Sequence, residues 1–546
     1  MSIFRKITPG RITAVLLIVW SILGIAVFRD YAVSWDEPTE RGSGVISDII
    51  LKEFVSGRTI PAEIIGQWGT DRYYGLIFQH ILLQAESFFI SGGVNAEKFA
   101  SADVWYLRHF INFFFVTAGL AALYFSAKLY NPDRKREYFP VLTVLAFMLM
   151  PRFFAESFYN VKDLVLLSGF MLAGLSLMSM MKKCDIRSIT LLAFMAAFVS
   201  AIRLTGAFFY LAGVVRILLF LRPTLLRRIG RALYFTAVFV FFLILFYPAA
   251  YSEPLTFFVD AVKTMANHPW RGHVLFMGQK YSSTQLPWYY LWVWIAVTTP
   301  TLLLTLGGIG GVSHIRYIIN KCSSLRKVVF LLRTSSASSV RFQYRVMMFV
   351  LFFVGTLFFC FSAKVFYNGW RQYYFLAWPM LFLIADGAYT VWEKCCTRPV
   401  LRKCAAAAGV IFVLYIVAWN VNAHPWQQCY FNILAGNPNG RFETDYWRLS
   451  NLEAYRSIAG YSKANGRIST VRLSLTSSIS QRMLSPEEAR HIMVLAPEEN
   501  FEFYISFEPL VFTDESKRKR VVFEEKYCPD LLFGKDVFLY TTLKLR

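Results

Sequence analysis

Two neighbouring carboxylates, Asp36 and Glu37, stand a few residues beyond the first apolar run, in Ser34-Trp35-Asp36-Glu37-Pro38. An acid placed there suits a general base or a divalent-cation ligand. It equally suits a helix start led by Pro38. A later loop, Pro151 to Asp163, ends in Lys162-Asp163. That dipeptide offers a cation to a phosphate and a further carboxylate, or a snorkelling lysine and a helix-start acid. Another polar stretch carries His268, Trp270 and His273, then Trp288, Tyr289 and Tyr290. The imidazoles are candidate metal ligands, although two in one loop are poor evidence. The aromatics suit the headgroup level of a bilayer and also stack on sugar rings. The last polar stretch contains Asn368-Gly369-Trp370-Arg371. Arg371 reads as a phosphate-binding cation or as the salt-bridge partner of an acid in the first loop.

The elements that carry these residues are apolar. Of 546 residues, 56% are hydrophobic and only 17% charged, and the mean hydropathy is +0.43. A soluble domain holds roughly 25% charged residues, so an ordinary soluble enzyme, a disordered chain and a disulfide mini-protein are all excluded. The net charge of +22 sits in short clusters between apolar runs, such as Lys182-Lys183 and Arg227-Arg228, as expected of cytoplasmic loops. Nucleic acid is therefore not the expected partner.

Apolar runs centre near Trp20, Phe115, Leu145, Leu172, Met195, Val215, Val240, Ile295, Phe353, Leu381 and Val413, which predicts about eleven spans of about 20 residues each. With a cytoplasmic N-terminus, alternation puts the basic loops around Arg134, Lys182, Arg227, Arg326 and Arg402 inside. The polar loops around Asp36, Asn160, Arg203, His268 and Arg371 fall outside. Gln79, His80, Gln84 and Glu86 make 74–90 an interfacial helix rather than a span. The expected architecture is a polytopic α-helical membrane domain, 1–420, with extracytoplasmic loops at 29–104 and 248–287. A small extracytoplasmic α/β domain, 421–546, is expected to follow. In it a helix is predicted over Leu449 to Tyr461, with strands over 469–473, 501–505 and 537–540. Cys429 and Cys528 fall on that outer side, where spacing alone leaves their pairing open.

Taken together, these stretches resemble the membrane glycosyltransferases of the GT-C fold. The likeness is to the family 39-like group related to protein O-mannosyltransferases and to the aminoarabinose transferase of lipid A. It is carried by Ser34-Trp35-Asp36-Glu37-Pro38, Tyr106-Leu107-Arg108-His109, Asn160-Val161-Lys162-Asp163, Leu286-Pro287-Trp288-Tyr289-Tyr290 and Asn368-Gly369-Trp370-Arg371. It extends through His424-Pro425-Trp426, Tyr430-Phe431-Asn432 and Asp445-Tyr446-Trp447, to about residue 460. The resemblance implies inverting transfer of a sugar from a polyprenyl-phosphate carrier to a protein, lipid or glycan acceptor. The reaction would lie outside the bacterial inner membrane. Asp36 or Glu37 would be the base, and Lys162, Arg108 and Arg371 would neutralise the carrier phosphate. Asp163, His109 and Asn160 would support them. Metal dependence differs among such enzymes, so no cofactor is certain and a divalent metal is left open. Two other functions share this composition. A flippase or transporter for a lipid-linked sugar would place ionisable residues at mid-membrane. A ligase using a diphosphate carrier would use the same loop chemistry.

Overall fold

In a computed structural model of the chain, the described residues are 8–58, 63, 68–90, 101–131, 136–220, 224–266, 270, 272–334, 336–362, 365–473, 479–494, 502–506, 520–529 and 536–545. Backbone amides in a bilayer must be satisfied within their own segment, and helices do this. The apolar runs are accordingly helical. α1 is Pro9–Val27, α2 Glu37–Val55, α3 Ile77–Phe89, α4 Ala102–Tyr130, α5 Phe139–Met148, α6 Pro151–Tyr159, α7 Asp163–Lys182, α8 Ile186–Ser200, α9 Ala207–Phe220 and α10 Leu225–Leu245. There follow α11 Pro254–Ala266, a hairpin of β1 (His273–Phe276) with β2 (Gln279–Ser282), α12 Tyr290–Thr298, α13 Thr301–Lys321 and α14 Leu325–Arg333. α15 runs through Ala337–Ser362, α16 through Arg371–Cys395 and α17 through Pro399–Asn422.

Among the described residues, eight helices are long and apolar enough to cross a membrane, or nine if α5 and α6 form one broken span. α8 and α9 are shorter apolar helices. Two departures from the sequence reading trace to proline. Pro151 interrupts the run centred on Leu145, and α6 leaves α5 at 69°, because proline removes a helix donor and restricts the residue before it. Pro300 divides the run centred on Ile295, so α12 is only nine residues long and the long helix is α13.

α7 and α16 are the most enclosed of the long helices, whereas α1, α10 and α17 lie on the outside with most of their surface exposed. α13 crosses α16 where glycine meets backbone. A Cβ on Gly310 would fall 1.8 Å from the carbonyl oxygen of Leu383, and one on Gly387 1.8 Å from that of Leu306. Small residues let membrane helices approach this closely.

The chain after α17 winds back over the helix ends before its own domain begins. The Asn432 side chain donates to the carbonyls of Ala296 and Thr299, at 2.6 Å each, and Arg152 Nε donates to Tyr430 O at 3.0 Å. α18 (Asn451–Ala464) and the four-residue α19 (Pro486–Ala489) then accompany a five-stranded mixed sheet. Its strands are β3 Ser469–Leu473, β4 Ile492–Val494, β5 Phe503–Ser506, β6 Arg520–Cys528 and β7 Val537–Leu545, in the order β4-β3-β5-β7-β6. β3 is parallel to β4 and β5, and β7 is antiparallel to β5 and β6. The predicted helix and three predicted strands are present; β4 and β6 are additional. Cys429 and Cys528 are both buried. Their thiols donate to Thr444 O at 3.5 Å and to Trp426 O at 3.8 Å.

Candidate functional site

Asp36 occupies the cap position of α2 but makes no side-chain capping bond. Its carboxylate, one-third exposed, instead accepts from Arg371 Nη1 at 2.9 Å. Glu37, its neighbour, faces the other way and is fully buried. One of its oxygens accepts the Ser34 backbone amide at 2.6 Å and the other accepts His109 Nε2 at 3.0 Å. Of the acidic pair, then, Asp36 is the carboxylate open to a ligand, and Glu37 with His109 fixes the loop that carries it.

Asp163 begins α7. Asn160 supports that start, its Oδ1 accepting the Asp163 amide at 2.8 Å while its Nδ2 donates to Glu156 at 2.7 Å. The Asp163 carboxylate is fully buried between two guanidinium groups, Arg371 at 3.0 Å and Arg203 at 2.8 Å. Arg371 therefore bridges Asp36 and Asp163. It also lies over three aromatic rings, those of Tyr367, Tyr446 and Trp447, at 5.0, 4.6 and 4.9 Å, and it donates to the Tyr446 hydroxyl. Burial pushes the Tyr446 phenol well above its ordinary range, so it stays neutral. Lys162 pairs with Glu40, one helical turn beyond Asp36, and sits 3.5 Å from the centre of the Tyr74 ring. The Tyr74 and Tyr367 hydroxyls lie 3.2 Å apart.

Three carboxylates (Asp36, Glu40, Asp163) and three cations (Lys162, Arg203, Arg371) thus gather at one end of the bundle. Trp35, partly exposed, packs edge-on against Tyr446 with ring centres 5.1 Å apart. Such a cluster can take a proton at Asp36. It can also exchange carboxylate for phosphate on its cations, at a surface offering aromatic faces for stacking.

Of the residues singled out from sequence, Asp36, Lys162, Asp163 and Arg371 meet in this cluster, with Glu37, His109 and Asn160 behind them. Arg108 does not join. It is completely buried and donates to Glu86 at 2.6 Å and to Gln79; Arg41 donates to the same Glu86 at 2.8 Å. Arg108 is thereby engaged in an internal ion pair that ties α3 to α4. Trp270 packs edge-on against Tyr367, with ring centres 5.1 Å apart. His273 is exposed on β1. Trp288 stacks on Phe361, the ring planes 8° apart; it and Tyr289 are exposed. His268 lies outside the described residues. Among the described residues, no group of three or more His, Cys, Asp or Glu side chains is arranged as a metal site.

Sequence reasoning did not single out Arg203, Glu40, Tyr74, Tyr367 or Tyr446 as site residues. Arg203 carried the signal that marked Arg371, a cation in a loop that the sequence reading puts on the outer side, where positive charge is rare.

No family model matches the chain, and no curated protein matches it. Among solved structures, the chain is similar to ArnT from Cupriavidus metallidurans in the apo state. The identity is 12% over 97% of this chain and 96% of that one, with a TM-score of 0.44. It is similar to the same protein bound to undecaprenyl phosphate, with 12% identity, 97% of each chain covered and a TM-score of 0.44. It is also similar to the archaeal oligosaccharyltransferase AglB from Archaeoglobus fulgidus in complex with an inhibitory peptide and a dolichol-phosphate. There the identity is 11% over 90% of this chain and 65% of that one, with a TM-score of 0.38.

Proposed function

We propose that the protein is an integral membrane glycosyltransferase that inverts the anomeric carbon of a sugar carried on a polyprenyl monophosphate. It passes the sugar to a protein, lipid or glycan acceptor on the extracytoplasmic face of a bacterial inner membrane. On this reading the chain crosses the membrane about eleven times, with the shorter apolar helices α8 and α9 counted among the spans, so that the Asp36 end of the bundle and the C-terminal domain lie outside and the N-terminus in the cytoplasm.

The observation that supports this reading is the division of labour in the acidic pair. Asp36 is accessible and ion-paired with Arg371, whereas both oxygens of Glu37 are taken. In the displacement, the acceptor oxygen bonds to the anomeric carbon as the bond from that carbon to the phosphate oxygen breaks. Asp36 takes the acceptor proton. The electron pair leaves on the phosphate, already a stable anion, so no general acid is needed. Arg371, Lys162 and Arg203 stabilise the charge that develops there.

Labelled polyprenyl monophosphate and diphosphate sugars, offered to the purified protein in lipid, test the reading. Transfer or release from a monophosphate donor is expected. Release only from diphosphate donors would replace the carrier, and inertness toward every donor would overturn the reading.

A further inference from the structure

α16 carries Arg371 at one end and Asp386 fifteen residues further along. Asp386 is fully buried. It accepts from Arg136 Nη1 at 2.5 Å, from Arg345 Nη2 at 2.9 Å and from the Tyr130 hydroxyl. Arg136 also pairs with Glu393 at 3.0 Å. These groups, with Arg341, line a cavity of about 280 Å³. Among the described lining residues, three guanidinium groups stand against two carboxylates, an excess of positive charge. Arg345 is more than nine-tenths buried, and its Nε has no hydrogen-bond partner among the described residues.

Beside this cavity runs an apolar groove of about 720 Å³ between α5, α13, α16 and α17, walled by residues such as Leu145, Leu306, Ala388 and Ala406. The two share a partition. Phe139 and Glu393 line the cavity, whereas their neighbours Tyr138 and Trp392 line the groove. The Tyr138 amide donates to the Tyr389 hydroxyl at 2.8 Å, and the Arg136 guanidinium lies 5.3 Å from the centre of the Tyr389 ring. A charged cavity thus lies beside an apolar trough walled by helices, among them α13, α16 and α17, that are long and apolar enough to cross a membrane.

We infer that this is a second lipid site, distinct from the Asp36 cluster, for an anionic phospholipid of the leaflet at that end of the bundle. The phosphate sits against Arg136, Arg341 and Arg345, and an acyl chain lies in the groove. Basic pockets between membrane helices hold anionic headgroups by this charge complementarity, and the trough supplies the apolar contact that a free anion cannot use.

Native mass spectrometry of the full-length protein, incubated with phosphatidylglycerol, phosphatidylcholine or inorganic phosphate, tests the inference. One phosphatidylglycerol is expected to be retained per chain, in preference to phosphatidylcholine. Arg341→Gln should weaken that retention about fivefold, the effect of one Arg near a membrane surface. Ala406→Trp, which fills the groove without touching the guanidinium groups, should weaken it as well, and thermal melts of both lipid-free variants check that they are folded. Equal retention of the two phospholipids would overturn the inference, as would folded variants that both retain phosphatidylglycerol like the parent. Inorganic phosphate binding as tightly as the lipid, with Ala406→Trp neutral, would overturn the lipid assignment. None of these outcomes depends on sugar transfer.

Discussion

Asp36 and Arg371 do different jobs at the residue scale, and their variants should separate. Arg371 holds Asp36 and Asp163 at once. Removing it leaves Asp163 buried with Arg203 as its remaining ion-pair partner. Arg371→Ala is therefore expected to lower kcat/KM for the donor about a hundredfold with little change in the acceptor KM, which steady-state kinetics with each substrate varied in turn would show. An equal loss on both sides would return Arg371 to a purely structural role. Glu37→Ala should act indirectly. It strips the partner from a buried backbone amide and from a buried imidazole, costing about 1–3 kcal/mol. A lower Tm with a reduced kcat is expected, and Glu37→Gln should restore part of both. The residue identities that make Asp36 visible in the sequence are local: adjacent acids beside an apolar run. Arg203 was not legible in that way, because its partner Asp163 lies forty residues earlier and meets it only once α7 and α8 pack side by side.

At the scale of elements, the site is held by helix starts and breaks. Pro38, Pro151 and the Asn160 side chain each help fix where a helix begins. The start at Pro38 was readable as punctuation, whereas the break at Pro151 was not taken up in the sequence reading and the support from Asn160 shows only in the fold. The close crossing of α13 and α16 was not, because a glycine-rich run names no partner. Gly387→Val is expected to force the helices apart and abolish accumulation of folded protein, measured by monodisperse yield in detergent. Gly308→Ala is the control, since nothing lies within 4 Å of the added carbon, and it should be silent. Gln79 and Glu86, which argued on polarity against a span at 74–90, turn inward. Glu86 holds Arg41 and Arg108, and Gln79 accepts from Arg108.

Across the whole molecule, the C-terminal sheet is tied to the loop that bears Tyr446. The Thr444 hydroxyl donates to Phe538 O, the Asn439 side chain binds the backbone of Asp536 and Phe538, and the Ser480 hydroxyl reaches Val33 O. Removing residues 467–546 should leave the helices folded by circular dichroism yet lower turnover about tenfold or more, because the Tyr446 and Asp36 loops lose their brace. Full activity without that segment would make the domain an independent appendage. The strand count was the least legible part of this domain. β4 is three residues long and β6 carries a run of charge, so neither stands out as an alternating apolar segment.

The central claim is that Asp36 takes a proton during transfer from a lipid-linked sugar. It is tested most directly by comparing wild type and Asp36→Asn in the same lipid. Transfer of a labelled sugar from its polyprenyl phosphate and movement of that lipid between leaflets would be followed together. The expected result is turnover by the wild type, a loss of at least about a hundredfold in the variant, and unchanged donor binding. Turnover that survives in Asp36→Asn, or lipid movement without transfer in either protein, would contradict it.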